Sequence, residues 1–169
     1  MIQRLKQVAA LATLVLSVAA CGGGDGDEVT RNIVEQAQAD ARLSILVEAV
    51  SAADLGATLS GPGPFTVMAP TNDAFASLLQ ELGVTKEQLL ANKPLLTTVL
   101  TYHVVPGRVT QAQIPFGTPI ATVQGQTFTV NSAFVITDQR SRTARIVQAD
   151  VPATNGVVHA IDRVILPRP

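Results

Sequence analysis

The spacing of apolar residues changes part-way along the chain, and this change constrains the fold more than any other feature. In the first half, apolar residues recur at helical spacing. In "DARLSILVEAV", Asp40 is a candidate N-cap, and the residues that share one helical face are Leu43, Leu46, Val47 and Val50. In the second half, short β-branched runs such as "QTFTV" and "GVVHAIDRVIL" alternate with Gly, Pro, Asn or Gln. Helices followed by many short strands predict an α+β fold.

A strand followed by a capped helix is predicted in "FTVMAPTNDAFASLLQELG". Thr71 can cap the helix with its hydroxyl, and Asp73 places negative charge in the first turn. Phe75 begins the apolar stripe, and Gly83 can close the helix. Asn72 is suited to hydrogen-bond neighbouring backbone. These residues have architectural uses and predict no chemistry.

Two further helix starts are readable downstream. Thr85 and Gln88 have the spacing of a capping box. Pro94 stands near the start of another helix, whose predicted inward-facing residues are Leu95, Leu96, Val99 and Leu100.

The N-terminus predicts export. Residues 1–20 combine a basic start with a charge-free apolar run that is too short to cross a bilayer, as in a signal peptide. Cys21, the only cysteine, follows directly in a pattern that resembles the lipobox of bacterial lipoproteins. We therefore expect Cys21 to be lipidated; the alternative is an ordinary cleaved signal with a chance cysteine. The residue after the cysteine, Gly22, is not an aspartate, and in bacterial lipoproteins of the type that this pattern resembles this favours sorting to the outer membrane. Residues 21–28 predict a flexible tether, and residues 29–167 a single domain.

The charge balance argues against nucleic acid as a partner. Without residues 1–20, ten basic residues face 13 acidic ones, which gives a net charge of −3, whereas nucleic-acid binding depends on basic contacts to phosphate. The basic cluster "QRSRTAR" carries Arg140, Arg142 and Arg145 between two strand-like runs. A charged hairpin tip or solvated edge is favoured there over an anion site.

Catalytic and metal-binding patterns are not recognisable in the sequence. It has no Gly-x-Ser-x-Gly, no His-Glu-x-x-His and no paired cysteines. The two histidines, His103 and His159, are 56 residues apart, and no Asp or Glu cluster completes a zinc site with them. We expect no enzyme activity, no cofactor and no metal. A hydrolase with a non-standard site that uses both histidines is the weakest alternative.

Three segments, in order, resemble the fasciclin (FAS1) domain. They are "GPGPFTVMAPTNDAFASL", "LTYHVVPGRV" and "TNGVVHAIDRVILP". The resemblance runs from about Asn32 to Pro167. It implies a wedge of two β-sheets of short strands, flanked by helices from the N-terminal half. It also implies a family of secreted or surface-attached proteins used in adhesion and matrix interaction, although a fold does not fix a function.

The histidines and the tyrosine of these motifs have two interpretations. His159, among apolar strand residues, is predicted to be structural, and Asn155-Gly156 before it supplies a turn. Tyr102 and His103 would point to opposite faces of a sheet if the segment is extended. In one interpretation both residues are structural, with one ring packed in the core and the imidazole hydrogen-bonded to backbone. The other, implied by the role of this region in integrin-dependent adhesion in animal members, makes them contacts with a partner.

The resulting functional hypothesis is a non-enzymatic, lipid-anchored adhesion or interaction module outside the cytoplasm. Its partners would be proteins, matrix or polysaccharide at the cell surface, with the membrane reached through the lipid on Cys21. The alternative is a periplasm-facing envelope protein that binds a small apolar or glycan ligand or an envelope partner. The predicted location is the bacterial outer membrane or cell surface, with secretion also open.

Overall fold

The computed structural model describes residues 29–169, which contain six helices and seven strands. The helices are α1 (Ile33–Ala39), α2 (Ser44–Ala52), α3 (Gly56–Ser60), α4 (Asn72–Leu82), α5 (Lys86–Ala91) and α6 (Lys93–Tyr102). The strands are β1 (Phe65–Pro70), β2 (Val104–Pro106), β3 (Ile120–Ala121), β4 (Thr127–Val130), β5 (Val135–Thr137), β6 (Thr143–Ala153) and β7 (Gly156–Ile161). Short 3-10 turns lie at Ala41–Leu43 and Gln111–Gln113. The predicted α+β class is confirmed. Residues 1–28, and with them the predicted signal peptide, Cys21 and the whole predicted tether, lie outside the described residues.

Local capping signals set the helix ends. The Thr71 hydroxyl accepts the Ala74 N–H at the start of α4, and Gly83 ends that helix in the left-handed region, at φ 63°. Thr85 and Gln88 form the predicted capping box of α5. Asp40 caps the 3-10 turn Ala41–Leu43, so the predicted helix begins with a tighter turn before α2.

The strands pair in the order β2-β1-β7-β6-β5-β4-β3. All neighbouring strands are antiparallel except β1 and β7, which are parallel. The strand nearest the C-terminus therefore lies beside the first one.

This sheet curls until its two ends meet. The Val123 N–H donates to the Val104 carbonyl across 2.8 Å, which links the turn after β3 to β2. Both halves of the sheet contribute to one core cluster, made of Met68, Tyr102, Val105, Ile114, Ile120, Phe128, Val130, Ile136, Ala144, Ile161 and Ile165. The two layers of short strands expected from the fasciclin resemblance are thus the two halves of one curled sheet.

The helices cover the opposite face of β1 and β7. Their apolar sides join Val67, Ala69 and Val158 in a second core cluster, with Leu46, Phe75 and Leu96 among the helical members. Every position of β7 is buried, as expected for a strand enclosed on both faces. Residues 29–169 contain two core clusters of buried side chains, and a span with its own hydrophobic core is expected to fold as a unit. No helix in this span is long and apolar enough to cross a membrane.

Candidate functional site

Tyr102 is the last residue of α6, not part of a strand. Its side chain is fully buried, and its hydroxyl donates to the Thr127 carbonyl across 2.8 Å. The ring meets Phe128 edge to face, with 6.2 Å between the ring centroids. Burial raises the pKa of Tyr102 to about 12, so the phenol stays protonated and keeps its role as donor.

His103, the next residue, is also buried and uses both ring nitrogens on backbone groups. The Ile165 N–H donates to Nε2 across 3.2 Å, so Nε2 is an acceptor. The proton therefore sits on Nδ1, which donates to the Val99 carbonyl across 2.7 Å. Burial lowers the pKa of His103 to about 4, so the ring is neutral at physiological pH.

His159 has the opposite tautomer. Its Nδ1 accepts the Asp150 N–H across 3.2 Å, and its Nε2 then donates to the Val109 carbonyl across 2.8 Å. Neither imidazole has a free nitrogen for proton transfer or metal ligation in this arrangement. The His103 ring joins α6 to the C-terminal segment, and the His159 ring joins β7 to β6 and to the loop after β2.

The capping motif of α4 reaches further than its own helix. The Asn72 side-chain oxygen accepts the Ile45 N–H across 3.0 Å, and its amide nitrogen donates to the Ala41 carbonyl at the same distance. Asn72 therefore joins the start of α4 to the start of α2, about 30 residues earlier in the chain. Asp73 lies exposed in the first turn, and Phe75 is buried in the helix-side core.

The Asn155 side chain hydrogen-bonds to backbone groups of three other residues on the side of the sheet that the helices cover. Its side-chain oxygen accepts the Ile33 N–H across 2.9 Å, and its amide nitrogen donates to the carbonyls of Leu59 at 2.7 Å and Gly61 at 2.9 Å. Both polar atoms of its side chain thus hold α1 and the end of α3 against the β6–β7 turn. Gly156 follows because a Cβ there would overlap the Phe65 carbonyl oxygen.

Asp138 is a buried residue that sequence reasoning missed. One carboxylate oxygen accepts the N–H groups of Arg140 and Arg142, and the other accepts the Leu166 N–H, all within 2.9 Å. Asp138 therefore fastens the C-terminal segment, residues 162–169, to the β5–β6 hairpin. An aspartate two residues before an arginine in a predicted turn suggests an Asx turn. No local pattern identifies the third donor, the Leu166 N–H.

Arg140 and Arg142 lie in the turn of the β5–β6 hairpin, as predicted, and Arg145 lies on β6, but the three side chains have different environments. Arg142 lies 2.6 Å from Glu81, which also pairs with Arg163. Arg140 turns back to donate through Nε to the Pro167 carbonyl across 2.8 Å. Only Arg145 of the three has no side-chain partner among residues 29–169.

An apolar groove lies between α4, α5, α6 and the C-terminal segment. We name it the leucine groove and define it by Phe75, Leu82, Leu89, Leu95, Leu96 and Leu166. It encloses about 130 Å³, and Arg140 and Arg168 also line it. Leu82 and Leu95 are 43% and 38% exposed at this groove, although Leu95 was predicted to face inward.

Comparison with known proteins identifies the family. The model of the fasciclin domain matches residues 41–167. The chain belongs to the fasciclin domain family.

Fasciclin-domain relatives occur in bacteria and animals. Protein sll1483 of Synechocystis is 49% identical over 80% of this chain and 73% of its own length. Human periostin is 30% identical over 81% of this chain, but this match covers 16% of periostin. The solved FAS1 domain pair of the insect cell adhesion molecule fasciclin I superposes with a TM-score of 0.72 at 15% identity, covering 81% of this chain and 51% of that one. That likeness confirms the FAS1 fold.

The fasciclin Tyr-His motif is internal in this chain. Tyr102 and His103 are 0% and 1% exposed, so the interpretation that they contact a partner directly does not agree with the structure. Both side chains are buried because of where α6 ends. Tyr102 is the last residue of α6 and its side chain packs inside the curled sheet, while the His103 ring bonds to the Val99 carbonyl one turn earlier. Among residues 29–169 no group of three or more His, Cys, Asp or Glu side chains is placed to hold a metal ion.

Proposed function

We propose that this fasciclin domain is a non-enzymatic interaction module, held outside the cytoplasm by a lipid on Cys21, that binds partners at the cell surface, in matrix or in polysaccharide. The observation that carries the proposal is membership of the fasciclin family together with the burial of its motif residues. The polar side-chain atoms of Tyr102, His103 and His159 are hydrogen-bonded to backbone groups. A partner must therefore bind to other residues, on the outer surface of the domain.

The anchoring part of the proposal rests on sequence. Residues 1–20 have the layout of a signal peptide, and the glycine- and acid-rich stretch after Cys21 gives the domain reach from a membrane. Cys21→Ser should move the protein from the membrane fraction to the soluble extracytoplasmic fraction. Unchanged membrane fractionation would refute anchoring by this cysteine.

Adhesion is tested on intact cells. We expect added protease to remove the domain from the cell surface, deletion to reduce attachment, and crosslinking on living cells to capture a surface partner. Tyr102→Phe, compared at equal folded fraction, should capture the same partner, since its side chain is buried. Protection from protease together with unchanged attachment would contradict an adhesive role.

A second candidate is a periplasm-facing envelope protein that binds a small ligand. The leucine groove favours this role for an apolar ligand, because small-molecule sites are typically concave, with mostly apolar walls and a few polar groups. Protection from added protease, with attachment unchanged, is the result expected here.

A further inference from the structure

We propose that the leucine groove binds an amphipathic anion, an alkyl chain with a carboxylate head, whose chain lies between α4 and α6 and whose head contacts Arg140 and Arg168. This inference deepens the second proposed function and rests on it. It assigns both a place on the domain and a class of ligand.

The walls of the groove fit an alkyl chain. Aliphatic side chains from three helices and from Leu166 line it, with Leu82 and Leu95 exposed beside it. Its volume of about 130 Å³ is several times the space that one water needs. Each methylene buried there can strengthen binding up to about fourfold, until the groove is full.

The head-group site is built from two restrained arginines. Arg140 donates through Nε to the Pro167 carbonyl across 2.8 Å, and Arg168 donates through Nε to the Gln139 carbonyl across 3.1 Å. These reciprocal bonds fix both guanidinium groups on adjoining segments. Within residues 29–169, no carboxylate pairs with either group and neither uses its Nη atoms.

The groove lining includes two arginines and no acidic side chain, which favours an anionic ligand. In the described residues, Arg142 and Arg163 share Glu81, whereas the residues around Arg140 and Arg168 in the groove include no Asp or Glu. A guanidinium group favours a carboxylate, which accepts bidentate hydrogen bonds, and two of them line this groove. A glycan fits poorly, because the leucine walls offer no partners for its hydroxyl groups.

The experiment measures decanoate binding by titration calorimetry. The protein is the chain from Cys21 to Pro169 with Cys21→Ser, so that no attached lipid competes. Decanol and decyltrimethylammonium are the head-group controls. We expect decanoate to bind at least about tenfold more tightly than either, and octanoate to bind more weakly than decanoate.

Two variant pairs locate the site. Arg140→Gln with Arg168→Gln should weaken decanoate binding by about tenfold or more, whereas Arg108→Gln with Arg145→Gln changes the net charge equally and should leave it unchanged. Leu95→Asp should abolish binding by placing a like charge at the groove, while Val147→Asp, at another exposed apolar position, should not. Thermal unfolding verifies that each variant is folded.

Several results would overturn the proposal. Equal affinity for the three head groups, or unchanged affinity after loss of both groove arginines, would show that no anion site exists here. If decanoate does not bind but crosslinking captures a surface protein, the groove proposal is wrong. The proposal that the domain is an interaction module is then still supported. A captured polypeptide that Leu95→Asp releases would assign the groove to a protein partner instead.

Discussion

The backbone N–H of Ile165 donates to Nε2 of His103 across 3.2 Å, joining two residues that are 62 positions apart in the chain. This bond requires an unprotonated Nε2, because a protonated ring would oppose one N–H to another. The C-terminal segment is therefore held by a neutral histidine.

Acid should weaken the domain through His103. Its pKa is about 4 when folded and about 6.5 when unfolded, so the unfolded state binds the proton more readily. Stability from this residue is complete above pH 6.5 and is lost as the pH falls towards 4, by about 3 kcal/mol. Urea unfolding at pH 7, 5.5 and 4.5 measures the loss. His103→Gln should be less stable at pH 7 but should lose less on acidification, and parallel pH profiles would contradict this role.

The tyrosine hydroxyl should matter less than the ring. Tyr102→Phe removes the bond to the Thr127 carbonyl, but that carbonyl also accepts from Gln139 across 2.8 Å. We expect a loss of about 1 kcal/mol in the free energy of unfolding. Tyr102→Ala, which also empties the space beside Phe128, should cost about 3–5 kcal/mol. Equal losses in urea unfolding would show that the hydroxyl dominates.

Asn155 should be more costly to replace than an asparagine that acts locally. Asn155→Ala leaves the Ile33 N–H and the Leu59 and Gly61 carbonyls without their partner. We expect a loss of about 2–4 kcal/mol. Asn131→Ala is the matched control, because Asn131 bonds only to Ala133 and Val135 in its own exposed turn, and its cost should be about 1 kcal/mol. Thermal unfolding of both variants tests the order.

Two glycines should respond oppositely to alanine. Gly156→Ala places a Cβ onto the Phe65 carbonyl, a backbone atom that cannot move without breaking the β1–β7 pairing. We expect a loss of more than about 3 kcal/mol. Gly56→Ala, at the start of α3 with no atom within 4 Å of the added Cβ, should be neutral or stabilising by up to about 1 kcal/mol. Similar effects in urea unfolding would contradict the close approach at Gly156.

Local signals in the sequence were sufficient for the helix ends but not for the long-range contacts. Thr71, Gly83 and the Thr85–Gln88 box act within a few residues, and their roles were predicted correctly. The bonds from Asn72 to Ile45 and from Asp138 to Leu166 join residues about 30 positions apart, so no local pattern reveals them. Tyr102 was misplaced for a related reason. Whether such a side chain faces solvent or core depends on where α6 ends and how the sheet curls over it.

The parallel pairing of β1 with β7 has a consequence for the timing of folding. β1 ends at residue 70, and its partner is not complete until residue 161. A chain that is made or exported from the N-terminus onwards can form helices early, but β1 cannot pair with β7 until residues 156–161 are available. Synthesis or transport must therefore pass residue 161 before the domain acquires its cooperative stability.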